Sequence, residues 1–319
     1  MFCFSFFLKI QSMKRVLIAT EKPFAGFAVE QITGILKNAG YEIRMLEKYS
    51  LKSEFLEAVK DVHALIVRSD IVDREVIDAA KELQIVVRAG SGFDNLDLGS
   101  CTERGIVAMN TPGQNSNAVA ELAIGMMIFM SRGNFKVGAG SELKGKTIGV
   151  YGCGNIGRRV ARIAQGLGMR VVALDPCITK VSMEPYDVRV VQGVDELFSA
   201  SDFLSLHIPS NEKTKKSVNF SLMSKMPKGA CIVNTARKEV IDEDGLKQML
   251  EERPDFKYIS DIAPSCHEEL AGKFEYRYYS TPKKQGAETS EANVNAGVAA
   301  AEQIVAFFEN GDQTYRVNK

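Results

Sequence analysis

From Lys14 onward the chain alternates short apolar runs with longer stretches of helical spacing. Residues 15–19, 42–46, 64–67 and 85–87, and a run opening at 105–108, are brief, rich in β-branched side chains and bounded by polar or glycine punctuation, which predicts strands. Residues 24–38, 53–61 and 73–82 carry apolar side chains at helical intervals, and Gly40 supplies a stop for the first. A second series starts at Lys146. It predicts strands at 146–151, 170–174, 203–206, 230–233 and 257–260, helices at 156–167, 195–199 and 243–251, and a last helix at 290–310 stopped by Gly311. Apolar strands alternating with helices imply parallel sheets covered on both faces. The expected fold is α/β, with two doubly wound parallel-sheet domains.

Residues 116–132 interrupt that rhythm. The run AVAELAIGMMIFM is apolar on nearly every side, so the helix must bury itself; beyond a plain core role, contact with a second copy of the chain is expected. The apolar leader at 1–12 has its lysine after the apolar run and no small-residue cleavage site, unlike a secretory signal, and it is too short to span a bilayer. It is expected to be disordered, with the folded chain beginning near Met13.

Composition narrows the function classes. Lys+Arg and Asp+Glu are both 40, which argues against a nucleic-acid or membrane-surface partner. The six cysteines form no CxxC pair, and three histidines leave no His-rich metal site, so no metal, reduced thiols and a cytoplasmic location are expected.

The clearest chemistry lies at Gly152-Cys153-Gly154-Asn155-Ile156-Gly157. A GxGxxG run is a weak signal alone, but this one follows a predicted strand and opens a predicted helix. The first glycine permits the turn, the second lets backbone approach a pyrophosphate, and the third lets helix and strand pack closely, while the helix N-terminus offers free N–H groups. The next strand ends at Asp175, suited to the adenosine ribose hydroxyls and repulsive to a 2′-phosphate, so NAD is expected rather than NADP. Residues 111–285 are therefore expected to form a Rossmann-type dinucleotide domain. Residues 1–110 with 286–319 would form the substrate domain, of flavodoxin-like type. Three further segments fall at strand ends, where such sheets bind ligands: His207-Ile208-Pro209, Asn234-Thr235-Ala236-Arg237 and Asp261. Arg237 offers a planar fork for a carboxylate.

GCGNIG, the His207–Pro209 triplet, NTARKEVIDE and the stretch from Thr281 to Thr289 resemble the D-isomer-specific 2-hydroxyacid dehydrogenases. The segments VRSD, VRAGSGFDNLDL and MNTPGQNSNAVAEL resemble the phosphoglycerate dehydrogenase branch of that family. The resemblance implies hydride transfer between C2 of a D-2-hydroxy acid and nicotinamide, here oxidation of D-3-phosphoglycerate to 3-phosphohydroxypyruvate in serine biosynthesis. It assigns Arg237 to the substrate carboxylate and C2 oxygen. Gly152, Gly154, Asn155, Ile156, Gly157, Asp175, His207, Pro209, Thr235 and Asp261 go to the cofactor, Asp261 meeting the nicotinamide amide. Backbone of Arg88, Ala89, Gly90, Ser91 and Gly92 goes to the carboxylate, and Arg68 and Arg88 to the phosphate. A homodimer or larger homo-oligomer is implied too.

Two positions depart from the family pattern. Lys283 stands where the acid/base histidine is usual, and Cys266 where its glutamate partner is usual. The chain is therefore similar to a lysine-type subset without a regulatory domain, in which serine feedback is not expected. Lys283 becomes the expected acid/base. Its amine should be buried near Arg237, which would ease loss of a proton, and alcohol oxidation should quicken into alkaline pH. His267 is the rival, expected to be an exposed loop residue. Competing readings are a hydroxypyruvate or glyoxylate reductase, which needs no two extra cations at Arg68 and Arg88, and a non-catalytic NAD(H)-sensing corepressor-like protein, against which Arg237 and Lys283 argue.

Overall fold

Short aliphatic runs pair into two parallel sheets in the computed structural model, which describes residues 13–136, 138–177 and 187–318. The leader at 1–12 lies outside the described residues. The chain up to Asn115 and from Ser290 onward builds one compact unit, and Ser116–Thr289 builds the other. Each junction coincides with the first residue of a helix.

The first unit holds β1 (Arg15–Thr20), β2 (Glu42–Glu47), β3 (Ala64–Val67), β4 (Ile85–Arg88) and β5 (Val107–Asn110). They are ordered β2-β1-β3-β4-β5 and all pair in parallel. This is the flavodoxin-like order, whose switch point lies between the first and third strands. Every residue of β3 is buried, whereas edge strand β2 is buried nowhere along its length. The Ser290–Asn310 helix covers one face with its small residues. Ala296, Ala300 and Ala301 are buried, and a Cβ on Gly297 would fall 2.5 Å from the end of the Ile32 side chain, so a larger residue would require Ile32 on the Gly26–Asn38 helix to shift.

The second unit holds β6 (Thr147–Tyr151), β7 (Arg170–Leu174), β8 (Arg189–Val190), β9 (Phe203–Leu206), β10 (Cys231–Asn234), β11 (Lys257–Ser260) and β12 (Tyr278–Ser280). Its order, β12-β11-β10-β9-β6-β7-β8, is the Rossmann arrangement extended by one strand. The extra strand, β12, goes unsignalled in the apolar pattern because it is three residues long with its middle tyrosine exposed.

The Ser116–Ser131 helix satisfies most of its apolar surface inside its own unit. Ala120, Ala123, Ile124, Met126, Met127 and Met130 pack with Ile148, Val150, Val160, Val233 and Ile259. What remains outside is a strip of Asn117, Glu121, Gly125 and Ile128. Among the described residues no helix is long and apolar enough to cross a membrane.

Candidate active site

Because all strands of the second sheet run parallel, their carboxyl ends share one edge, and the chemistry-bearing segments emerge there side by side. β6 leads into the glycine turn, which is built as three different environments. Gly152 has a φ of +88°, and a Cβ there would lie 2.8 Å from the His207 backbone. A Cβ on Gly157 would meet the Gly152 carbonyl oxygen at 2.3 Å and Val150 at 2.9 Å. Gly154, by contrast, opens onto nothing within 4 Å. It caps the Asn155–Gly166 helix, whose first residues, Asn155 and Ile156, hold their N–H groups at the free end. A crowded first and third glycine around an open second is the cradle a dinucleotide pyrophosphate requires.

Asp175, just past β7, is bound to this turn: its carboxylate accepts from the Cys153 N–H at 2.7 Å and the Cys177 N–H at 2.8 Å. The acid is thus held half-buried beside the glycine turn. Cys153 itself is buried, which pushes its thiol up to about 11.

His207 follows β9. Its Nε2 lies 2.9 Å from Ser205 Oγ and its Nδ1 3.5 Å from Thr235 Oγ1, so the ring is seated between β9 and β10. Burial holds the imidazole far below its usual value, at about 3, and it is neutral at working pH. Pro209 is exposed beyond it. After β10 the Asn234 side chain locks the next turn, accepting from the Ala236 N–H at 3.0 Å and donating to the Arg237 carbonyl at 3.1 Å and to Tyr258 Oη at 3.2 Å. Arg237 stands half-buried at that turn, with one Nη donating to the Ala236 carbonyl at 3.0 Å.

Asp261, after β11, is fully buried and anchors the loop that follows β12. It accepts from Thr281 Oγ1 at 3.1 Å, the Gln285 N–H at 2.7 Å and the Gly286 N–H at 2.8 Å. Lys283 sits at the crest of this loop. The expectation of a buried amine is corrected: Lys283 is exposed, because Asp261 draws the two ends of the loop inward and leaves residues 282–284 outward.

The rival histidine is also placed differently from the sequence reading. His267 is not an exposed loop residue but the first residue of the His267–Lys273 helix, half-buried, with Nδ1 at 2.8 Å from Tyr278 Oη. In its neighbour Cys266 burial, with the charge of Glu243 adding to it, pushes the thiol up to about 11. Glu268 and Glu269 are exposed.

In the first unit, Arg68 follows β3 and Arg88 ends β4. Arg68 donates from Nη1 to the carbonyls of Lys22 at 3.0 Å and Pro23 at 3.2 Å, and from Nη2 to Asn293 at 2.6 Å, with its guanidinium 5.3 Å from the Phe24 ring. Arg88 Nε donates to the Arg68 carbonyl at 3.0 Å, which links the two cations. Gly90 matters here, since a Cβ would fall 1.6 Å from the Arg88 guanidinium. Ser91 bonds Asn115 at 2.9 Å through its hydroxyl and accepts from Asn110 at 2.7 Å through its carbonyl, and Gly92 follows, half-buried. Ala89 is buried. Sequence reasoning missed Tyr49 and Asn293, and it placed Asp70 and Asn234 only within their segments, without the anchoring roles that their side chains take here.

Comparison with known proteins agrees with this geometry. The family model described as D-isomer specific 2-hydroxyacid dehydrogenase, NAD binding domain, matches residues 120–271. D-3-phosphoglycerate dehydrogenase of Methanocaldococcus jannaschii is 38% identical over 272 residues, covering 79% of this chain and 51% of that protein, so the chain spans about half the length of that relative. Hydroxypyruvate reductase of Thermotoga maritima is 34% identical over 292 residues, covering 86% of this chain and 94% of that one. The crystal structure of an NAD+-bound 3-phosphoglycerate dehydrogenase of Entamoeba histolytica superposes with a TM-score of 0.86 at 48% identity, covering 97% of this chain and 99% of that one. With the glycine cradle, the acid beyond β7 and relatives that match nearly end to end, the chain belongs to the D-isomer specific 2-hydroxyacid dehydrogenases.

Proposed function

We propose that the chain oxidises D-3-phosphoglycerate to 3-phosphohydroxypyruvate with NAD as hydride acceptor. The observation that carries this reading is the linked pair Arg68 and Arg88 at the carboxyl edge of the first sheet. Two guanidinium groups suit a phosphate dianion through paired charge-assisted bonds, and an unphosphorylated hydroxy acid has no use for them. Arg237 grips the substrate carboxylate and C2 oxygen, Asn234 setting its turn. The residues of the glycine turn, with Asp175, His207, Pro209 and Thr235, hold the cofactor. Asp261 keeps the acid/base loop in place and retains one unused lone pair, on Oδ2, for the nicotinamide amide. The backbone of Ser91 and Gly92 supports the carboxylate.

Lys283 serves as the acid/base. The Lys283 amine is exposed on its loop, whereas His267 is engaged by Tyr278. Lys283→Ala should lower kcat by about 10²-fold or more, the usual worth of a general acid/base, and leave NAD binding intact. His267→Ala should stay close to the parent rate. The reverse pattern would transfer the role to the histidine.

A second reading, hydroxypyruvate reductase, is favoured by the near full-length match to the Thermotoga protein. NADH formation from 3-phosphoglycerate, with glycerate and D-lactate alongside, separates the two. The first reading expects clear preference for the phosphorylated acid; equal or better turnover of glycerate overturns it. The partner proposed besides substrate is a second copy of the chain, seated on the apolar patch of Ile128, Phe129, Phe135 and Tyr279. Phe135 is 68% exposed there, and Phe129 stacks edge-on against both Phe135 and Tyr279. The described cysteines are free thiols.

A further inference from the structure

Three neighbouring strands of the first sheet end on one buried carboxylate. Asp70, 2% exposed, accepts at Oδ1 from the Glu21 N–H just past β1 at 2.7 Å and from Tyr49 Oη just past β2 at 2.9 Å. Its Oδ2 accepts from the Arg68 N–H just past β3 at 3.1 Å. An isolated buried carboxylate is costly, and these donors are what make it tolerable. The bonded groups are not arbitrary. Glu21 begins the segment whose Lys22 and Pro23 carbonyls and Phe24 ring seat the Arg68 guanidinium. Asn95 Nδ2 donates to the Asp70 carbonyl at 2.7 Å, and the Arg68 carbonyl in turn receives Arg88 Nε. Asp70 therefore holds both the main chain of Arg68 and the loop its side chain rests on.

We infer that Asp70 and Tyr49 are positioning residues for phosphate recognition, acting through Arg68. The inference rests on the phosphate-binding role proposed above for Arg68 and Arg88. A guanidinium held in place before binding loses less conformational freedom when the phosphate arrives, so the effect belongs in substrate affinity and not in the chemical step. Tyr49 serves as a permanent donor, since burial first and Asp70 second raise its hydroxyl well above the usual tyrosine range.

The test is reduction by NADH of 3-phosphohydroxypyruvate and of hydroxypyruvate, with Tyr49→Phe, Asp70→Asn, Arg68→Ala and the double variant Tyr49→Phe/Arg68→Ala in the full chain. Loss of one hydrogen bond to a charged group predicts that Tyr49→Phe raises KM for the phosphorylated substrate about tenfold. The kcat and the KM for hydroxypyruvate should stay within about twofold. In the Arg68→Ala background the tyrosine change should add nothing. Asp70→Asn sets an amide among three donors and can unfold the unit; Tyr49→Phe then decides alone. If Arg68→Ala leaves the phosphate preference intact, the phosphate reading falls and takes this inference with it. If Arg68→Ala abolishes the preference while Tyr49→Phe keeps it, or raises both KM values alike, only the positioning role is overturned.

Discussion

At the scale of single residues, the glycine turn separates fold from function within six positions. Gly157 is needed for packing: the Gly152 carbonyl at 2.3 Å from a would-be Cβ is backbone and cannot yield. Gly157→Ala should therefore cost about 1–3 kcal/mol, read as a lower thermal midpoint. Gly154 faces open space, so Gly154→Val should leave the midpoint nearly unchanged yet weaken NADH binding, followed by fluorescence titration, by about tenfold or more, because the backbone there must approach the pyrophosphate closely. Equal thermal losses in both variants would contradict the division of labour. These roles were legible in the sequence, since a tight turn between an apolar strand and an amphipathic helix is a local matter. The exposure of Lys283 was not legible, because it depends on how a distant acid gathers the loop.

At the scale of elements, the outermost strand of the second sheet shows what apolar patterning misses. β12 is held in register by β11, with Tyr258 opposite Tyr278 and Ser260 opposite Ser280. Such a short edge strand has too few positions to display a period, so its existence depends on the neighbour it pairs with. It matters because the Lys283 loop hangs from it. Asp261→Asn replaces an acceptor-only group with one that also donates toward an N–H, leaving a buried donor unsatisfied at a cost of about 1–3 kcal/mol. The expected result is easier proteolysis at 282–284 and a drop in kcat; a loop equally resistant to protease would refute the anchoring role. The Ser116–Ser131 helix makes the complementary point, its composition demanding burial without naming the surface, which proves to be the neighbouring Asn155–Gly166 helix together with the sheet of its own unit.

At the scale of the whole molecule, two histidines bias stability against acid. Burial lowers His207 to about 3, and burial, followed by Arg15 and Lys14, lowers His63. Free histidine titrates near about 6.5, so below that value the unfolded chain binds protons the folded chain refuses. The stability these groups contribute is complete above about 6.5 and is lost as pH falls toward the folded values. Thermal midpoints should decline from pH 7 to 5, and His207→Gln should flatten that decline; an unchanged slope would show that the ring is protonated in the native state.

The same molecule marks the limit of one-dimensional reading. Strand and helix alternation, the glycine turn, Asp175 and the strand-end arginines follow from the sequence by itself, since hydrophobic period and turn chemistry are properties of adjacent residues. Which strand ends lie together followed only from tertiary structure. Asp70 gathers Glu21, Tyr49 and Arg68, and Asp261 gathers Thr281, Gln285 and Gly286, through parallel crossovers that bring remote segments to one edge. Burial of apolar surface sets those crossovers, and hydrogen-bond partners are chosen by the proximity it creates, which no local pattern encodes.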